Sequence, residues 1–207
     1  MASDQPREVG LNDLGQLTLR ANVVFAVRCA QRVRPCFTLP ANAPRRVEQA
    51  SAIDAAIHAA LSFCRNEQVE AGRAAAMAQL ARIVAEETCT YTRFAGFAAV
   101  RAAEAAGYAE AYIVGEQRGS SLVDVVAAAF GAGRVLVANA DRPTIGMVVS
   151  ALLADYENLR QLAHAPSIDL GPALDPSETG PLGVLWPGGK PSWISDLEAN
   201  QPMILGK

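Results

Sequence analysis

Four side chains in one stretch of this chain could act together. Glu48, Ser51, Asp54 and His58 follow one another at steps of three, three and four, a spacing that places them on one face of a helix. Ser51 and His58 cannot form a nucleophilic pair there, because a rise of about 1.5 Å per residue carries them too far apart for a hydrogen bond. Asp54 and His58, at i and i+4, do point the same way and make half of a metal site, which ligands from another helix would have to complete. His164 is the only other histidine, and no second Glu-x-x-His or His-x-x-x-His pattern exists. The simpler reading is the solvated polar face of an amphipathic helix, and no cofactor is implied.

A second constellation is electrostatic. No acidic residue lies between Asp13 and Glu48, whereas Arg20, Arg28, Arg32, Arg34, Arg45 and Arg46 all do. Arg28 and Arg32, one turn apart, are the candidates for holding an anionic ligand, since the guanidinium fork suits phosphate and carboxylate. Nucleic acid is disfavoured: lysines and aromatics do not interleave, the net charge is −3 and the pI is about 5.4, so the global field does not attract it. An internal use is the competing expectation, because the segment 166–207 carries Asp169, Asp175, Glu178, Asp196 and Glu198. Tail and arginine hairpin then face each other with opposite signs.

The remaining chemistry-bearing types exclude more than they suggest. The glycines at 180, 183, 188 and 189 form no phosphate loop, since no Gly-Lys-Ser/Thr follows a strand and no helix opens behind them. Cys29, Cys36, Cys64 and Cys89 show no Cys-x-x-Cys pair and read as small buried thiols in a reducing compartment. Met1 to Gly10 is polar, unlike a signal peptide, and Asp124 and Arg134 interrupt the best candidate for a membrane span. The expectation is a cytoplasmic protein without membrane association. With 207 residues, 51% hydrophobic and 19% charged, the chain suits one globular domain.

These residues must be positioned by helices. Residues 1–15, with Pro6, Gly10 and Gly15, read as a flexible lead-in. A helix over 16–34 places Leu19, Val23, Ala26, Ala30 and Val33 on one stripe and its arginines on the other; Pro35 ends it. The second runs over 44–65, with Asn42 and Pro44 as start signals. Residues 71–107 are strongly helical, and the β-branched and aromatic run Thr88 to Thr92 predicts a break. Residues 112–115 and 135–137 are compatible with helix or strand. A helix follows Ser120 or Ser121, with Gly131 and Gly133 weakening its middle, and another opens at Asp141-Arg142-Pro143 and runs to about 164. The fold class is all-α: an antiparallel bundle of five or six helices over 16–165, closed by an extended strap over 166–207.

The strap is the most individual stretch. Asp175 to Trp193 contains four prolines and repeated glycines, which exclude a helix and disfavour a regular strand. Trp186, Trp193 and Leu185 are candidates for a partner contact, because tryptophan dominates interface hot spots; docking onto the helical body is the simpler use. The Arg-Cys-Ala-Gln-Arg-Val-Arg-Pro core of 19–37, the Val-Glu-x4-Ile-Asp-x-Ala-Ile pattern of the second helix, and Asp175-Pro-Ser-Glu-x-Gly-Pro-Leu-Gly together resemble an uncharacterised group of alanine-rich helical bacterial proteins with a Gly-Pro-Leu-Gly-x-Leu-Trp-Pro tail. That resemblance touches both ends of the chain and implies no activity and no catalytic residue. The functional expectation is a non-enzymatic interaction or scaffold module that binds a protein partner or forms a homo-oligomer. The alternative is a small enzyme or effector with a metal or anionic-ligand site between helices.

Overall fold

The computed structural model describes residues 7–40, 42–68, 70–88, 90–115, 122–140, 143–163 and 169–200, and all secondary structure among them is helical. Eight α-helices form in order: α1 Leu11–Leu14, α2 Leu19–Val33, α3 Arg46–Arg65, α4 Arg73–Glu86, α5 Thr90–Val114, α6 Leu122–Asn139, α7 Ile145–Leu162 and α8 Ser192–Asn200. The break expected near 88–92 separates α4 from α5. The segments 112–114 and 135–137, left open between helix and strand, complete α5 and α6. The start signals at Ser120, Ser121, Asp141 and Arg142 lie outside the described residues.

Two helices lie beyond the predicted five or six. Within the lead-in, the Asp13 carboxylate accepts the Gly10 N–H at 2.8 Å and Leu14 is fully buried, so one short turn, α1, is pinned to the body. At the far end, the N–H of Ile194 donates to the Pro191 carbonyl at 3.1 Å and starts α8. The strap is therefore extended only as far as Pro191.

Helix α5 is the axis of the bundle, in contact with α2, α3, α4 and α6, while α2 touches α3, α5, α6 and α7. Alanine makes this crowding possible, because flat faces let helix axes approach closely. Ala98, Ala99, Ala102, Ala103, Ala105 and Ala106 are all buried at 0% exposure. Helices α4 and α5 cross closely at Gly96 and Ala85. A Cβ added at Gly96 would lie 2.8 Å from the Ala85 Cβ and 3.3 Å from its Cα, atoms that cannot swing aside. Gly96→Val is therefore expected to destabilise the chain by about 1–3 kcal/mol through overpacking, visible as a lower urea midpoint.

Helix α6 is long and apolar enough to cross a membrane by length and composition, with a mean hydropathy of 1.6 over Leu122–Asn139. Here it packs on α2 and α5. Val125, Ala129, Ala132 and Leu136 are buried there, while Arg134 is exposed.

Candidate functional site

Helix α2 departs most from its expected pattern. The periodicity predicts one buried stripe with the arginines facing water; instead every residue of α2 except Gln31 is buried. Arg28 and Arg32 are 0% and 1% exposed. No surface anion site forms from these two residues, because both guanidiniums lie inside the molecule.

Burying an arginine calls for acceptors for its donors and a charge nearby; every Arg28 nitrogen finds an acceptor, whereas Arg32 Nη2 is buried without one. Asp155, on the inner face of α7, supplies the charge: Arg28 Nε donates to Oδ1 at 2.9 Å and Arg32 Nη1 to Oδ2 at 2.5 Å. The strap supplies the acceptors. Arg28 Nη1 donates to the carbonyls of Pro176 and Gly183 at 3.1 and 3.0 Å, and Nη2 to that of Val184 at 2.9 Å. Arg32 Nε donates to the Leu185 carbonyl at 2.7 Å, and its guanidinium lies 5.5 Å from the centroid of the Trp186 ring. Burial pulls the Arg28 guanidinium below its usual range, and Asp155 opposes that pull.

A Pro/Gly-rich strap suits this task for a physical reason. A helix or strand spends its carbonyls on its own ladder, whereas an irregular segment leaves them free to accept from a guanidinium. Its shape is set by a turn in which the Gly180 N–H donates to the Ser177 carbonyl at 3.0 Å. A Cβ at Gly180 would fall 2.1 Å from the Asp175 carbonyl oxygen, so only glycine fits.

The strap also runs along α2 from its N-terminus. The first N–H groups of that helix, at Leu19 and Arg20, donate to the carbonyls of Asp169 and Leu170 at 3.0 and 2.9 Å, satisfying donors that a helix start leaves open. Arg20 Nη1 donates to the Gly171 carbonyl at 2.7 Å. The Leu174 N–H then donates to the Cys64 carbonyl near the end of α3, and Asp175 pairs with Arg65 at 3.0 Å. Charge attraction between tail acids and arginine hairpin was the expected bond; the oxygens that meet Arg28 and Arg32 are instead strap carbonyls and the α7 carboxylate.

The other candidate residues are placed as follows. Trp186 is 7% exposed and belongs to the core. Leu185 and Trp193 are half-buried against it, and Trp193 Nε1 donates to Thr144 Oγ1 at 2.9 Å. Asp54 and His58 lie on the exposed face of α3, where Arg34 grips Asp54 through both oxygens, at 2.5 and 2.8 Å. Among the described residues, no group of three or more His, Cys, Asp or Glu comes together to hold a metal. Burial raises the Cys29 and Cys36 thiols to about 12, leaving them protonated and inert. Cys89 lies outside the described residues.

One cleft opens between α4 and α5, with a volume of about 450 Å³. Ala75, Ala78, Ala111 and Val114 line it with Gly72 and Gly107, together with Gln79, Arg82, Glu104, Tyr108 and Glu110. Nothing in the sequence singles it out, because its residues belong to two helices and each reads as ordinary helix surface.

Fold and sites together define a helical bundle locked by a C-terminal strap over a buried Arg-Asp-Arg cluster. Comparison with protein-family models, with curated proteins and with solved structures finds no significant match.

Proposed function

We propose that the chain is a non-enzymatic helical interaction module that binds a protein partner or associates with itself. The observation that carries this reading is the C-terminal end of α5. Tyr112, Ile113 and Val114 are consecutive, large and apolar, and all three face solvent, Ile113 at 49% and Val114 at 60% exposure. Val123, near the start of α6, is exposed as well. A helix end in solvent is normally polar, and large apolar side chains exposed around it suit an interaction surface. The strand-like composition that made 112–115 ambiguous in the sequence is, on this reading, a docking surface at the end of a helix.

The alternative, an enzyme or effector with a metal or anion site between helices, draws less support. Arg28 and Arg32 are engaged with Asp155 and the strap, and Asp54 with Arg34. A Tyr112→Asp, Ile113→Asp variant should keep the melting temperature of the natural chain while losing self-association in light scattering, or losing a partner that the natural chain retains in a pull-down. A natural chain that is strictly monomeric and retains nothing overturns the proposal, as does a variant that associates unchanged.

A further inference from the structure

Helix α4 leaves one side of itself uncovered. Arg73, Ala76, Leu80, Ile83 and Glu87, the last at its C-cap, follow one another at steps of three, four, three and four, the seven-residue pattern that keeps side chains on one stripe. The core of the molecule takes the other side of the helix, where Ala74, Ala78, Ala81, Val84 and Ala85 are buried. All five residues of the stripe are exposed, Leu80 at 42% and Ile83 at 49%. Apolar side chains scattered singly over a surface are ordinary, whereas Leu80 and Ile83 lie one turn apart on one stripe.

The charges at the two ends of α4 are reversed with respect to its dipole. Arg73 opens the helix and Glu86 and Glu87 close it, with no acidic residue in the first turn and no basic one in the last. A lone helix favours the opposite arrangement, because its N-terminus carries partial positive charge and its C-terminus partial negative charge. A second α4 running the other way turns both mismatches into attractions. Arg73 of each copy then meets the C-terminal end and Glu87 of the other. Arg73 and Glu87 stand seven residues to either side of Leu80, so both contacts form at once about a two-fold axis. Gln49 of α3 donates to Glu87 Oε2 at 3.3 Å and holds the carboxylate at the end of the stripe without neutralising it. Arg45, which attracts Glu87 from the start of α3, is itself paired with Glu48 at 2.9 Å.

We propose that the exposed stripe of α4 is a homodimer interface, in which the α4 helices of two copies pack antiparallel with Leu80 and Ile83 at the centre and an Arg73–Glu87 pair at each end. The proposal rests on the reading of the chain as a self-associating module and names its partner, a second copy. The symmetry of the stripe's own charges singles out that partner, since any other would have to carry the same charges in reverse order. Val114 shares the α4–α5 cleft with Ala71 and Gly72, so the apolar end of α5 adjoins the N-terminal end of the stripe and widens the surface there. One helix of 14 residues per copy makes a small interface, and the dimer is accordingly weak, with a dissociation constant of about 10–100 µM.

Sedimentation equilibrium of the full chain over about 1–1,000 µM, a range that brackets this constant, should show monomer converting to dimer and no larger species. Leu80→Glu, Ile83→Glu should stay monomeric throughout at an unchanged melting temperature, because both side chains already meet water in the single chain. Arg73→Glu and Glu87→Arg should each weaken the dimer by about three- to thirtyfold, as two attractive contacts become repulsive. An equal mixture of these two variants should recover the natural affinity, since each then faces the charges it lacks.

Arg73→Glu also separates association from stability. It places an acid where the dipole of α4 favours one, so in dilute solution it should melt at the natural temperature or up to about 4 °C higher, while its dimer weakens. A natural chain that is monomeric over the whole range, a Leu80→Glu, Ile83→Glu variant that dimerises as before, or a mixture of the two charge variants that associates no better than either alone overturns the proposal. Those outcomes leave the docking surface at the end of α5 standing if Tyr112→Asp, Ile113→Asp still loses a partner in a pull-down. Conversely, if the α4 variants lose the dimer while the α5 variant keeps every association, the α5 surface fails and the α4 interface stands.

Discussion

Replacing Asp155 by asparagine is expected to cost the chain about 3–5 kcal/mol, the range for breaking a buried ion cluster from one side. The substitution keeps the shape of the side chain and one acceptor, so packing barely changes. What changes is the charge. Arg28, Arg32 and Asp155 have side chains at most 2% exposed, and without the carboxylate two like charges share a volume closed to water. For a chain of this size the loss corresponds to a fall in melting temperature of roughly 6–20 °C.

Asp175→Asn is the control. It removes one acid from the exposed pair with Arg65, where both side chains are over a third exposed, and should cost no more than about 1 kcal/mol. Equal effects of the two variants in urea denaturation would show that the Arg-Asp-Arg cluster carries no special weight. Replacing all three cluster residues by apolar ones of similar volume should recover only part of the loss. The carbonyls of Pro176, Gly183, Val184 and Leu185 would then be buried without donors.

Deleting residues 166–207 should have the larger effect. Two consequences oppose each other. Removing the strap opens Arg28 and Arg32 to water, which hydrates their donors and makes the electrostatic change small. It also removes Leu174, Leu182, Trp186 and Ile194, all at most 8% exposed, from the core. At about 1.5–3 kcal/mol for each large apolar side chain, the lost burial reaches the order of 6–12 kcal/mol and wins. That is comparable to the whole stability of an ordinary domain, about 5–15 kcal/mol. The truncated body should lose its cooperative thermal transition, or melt more than about 12 °C lower, by circular dichroism. A truncated chain that melts with the full one would show that the strap is not part of the core and would make it a tail available to partners.

Much of the architecture was legible in the sequence because it is written in local patterns. The break around Thr88 to Thr92 follows from β-branched crowding, and the strap's irregularity follows from proline and glycine. The α3 face bearing Glu48, Ser51, Asp54 and His58 is indeed solvated, as its spacing and polarity indicate. Even the docking of Leu182 and Trp186 could be anticipated, since large apolar side chains do not stay in water when a core is within reach.

The inner chemistry was not legible in that way. Hydrophobic periodicity describes one element at a time, and within α2 it assigns arginines to the wet side. Arg28 is dry only because Asp155, 127 residues later in the chain, and the strap carbonyls, still further on, close over it. Asp155 itself reads as one acid among others in an amphipathic helix. The sequence by itself determined that the body would be helical with a break near Thr88 to Thr92, and that the stretch from Asp175 to Pro191 would be irregular, because propensity and proline act within a few residues. Which arginines are buried and which carboxylate answers them were decided by the tertiary structure alone, because desolvation and hydrogen bonding depend on neighbours that the chain brings together only when it folds.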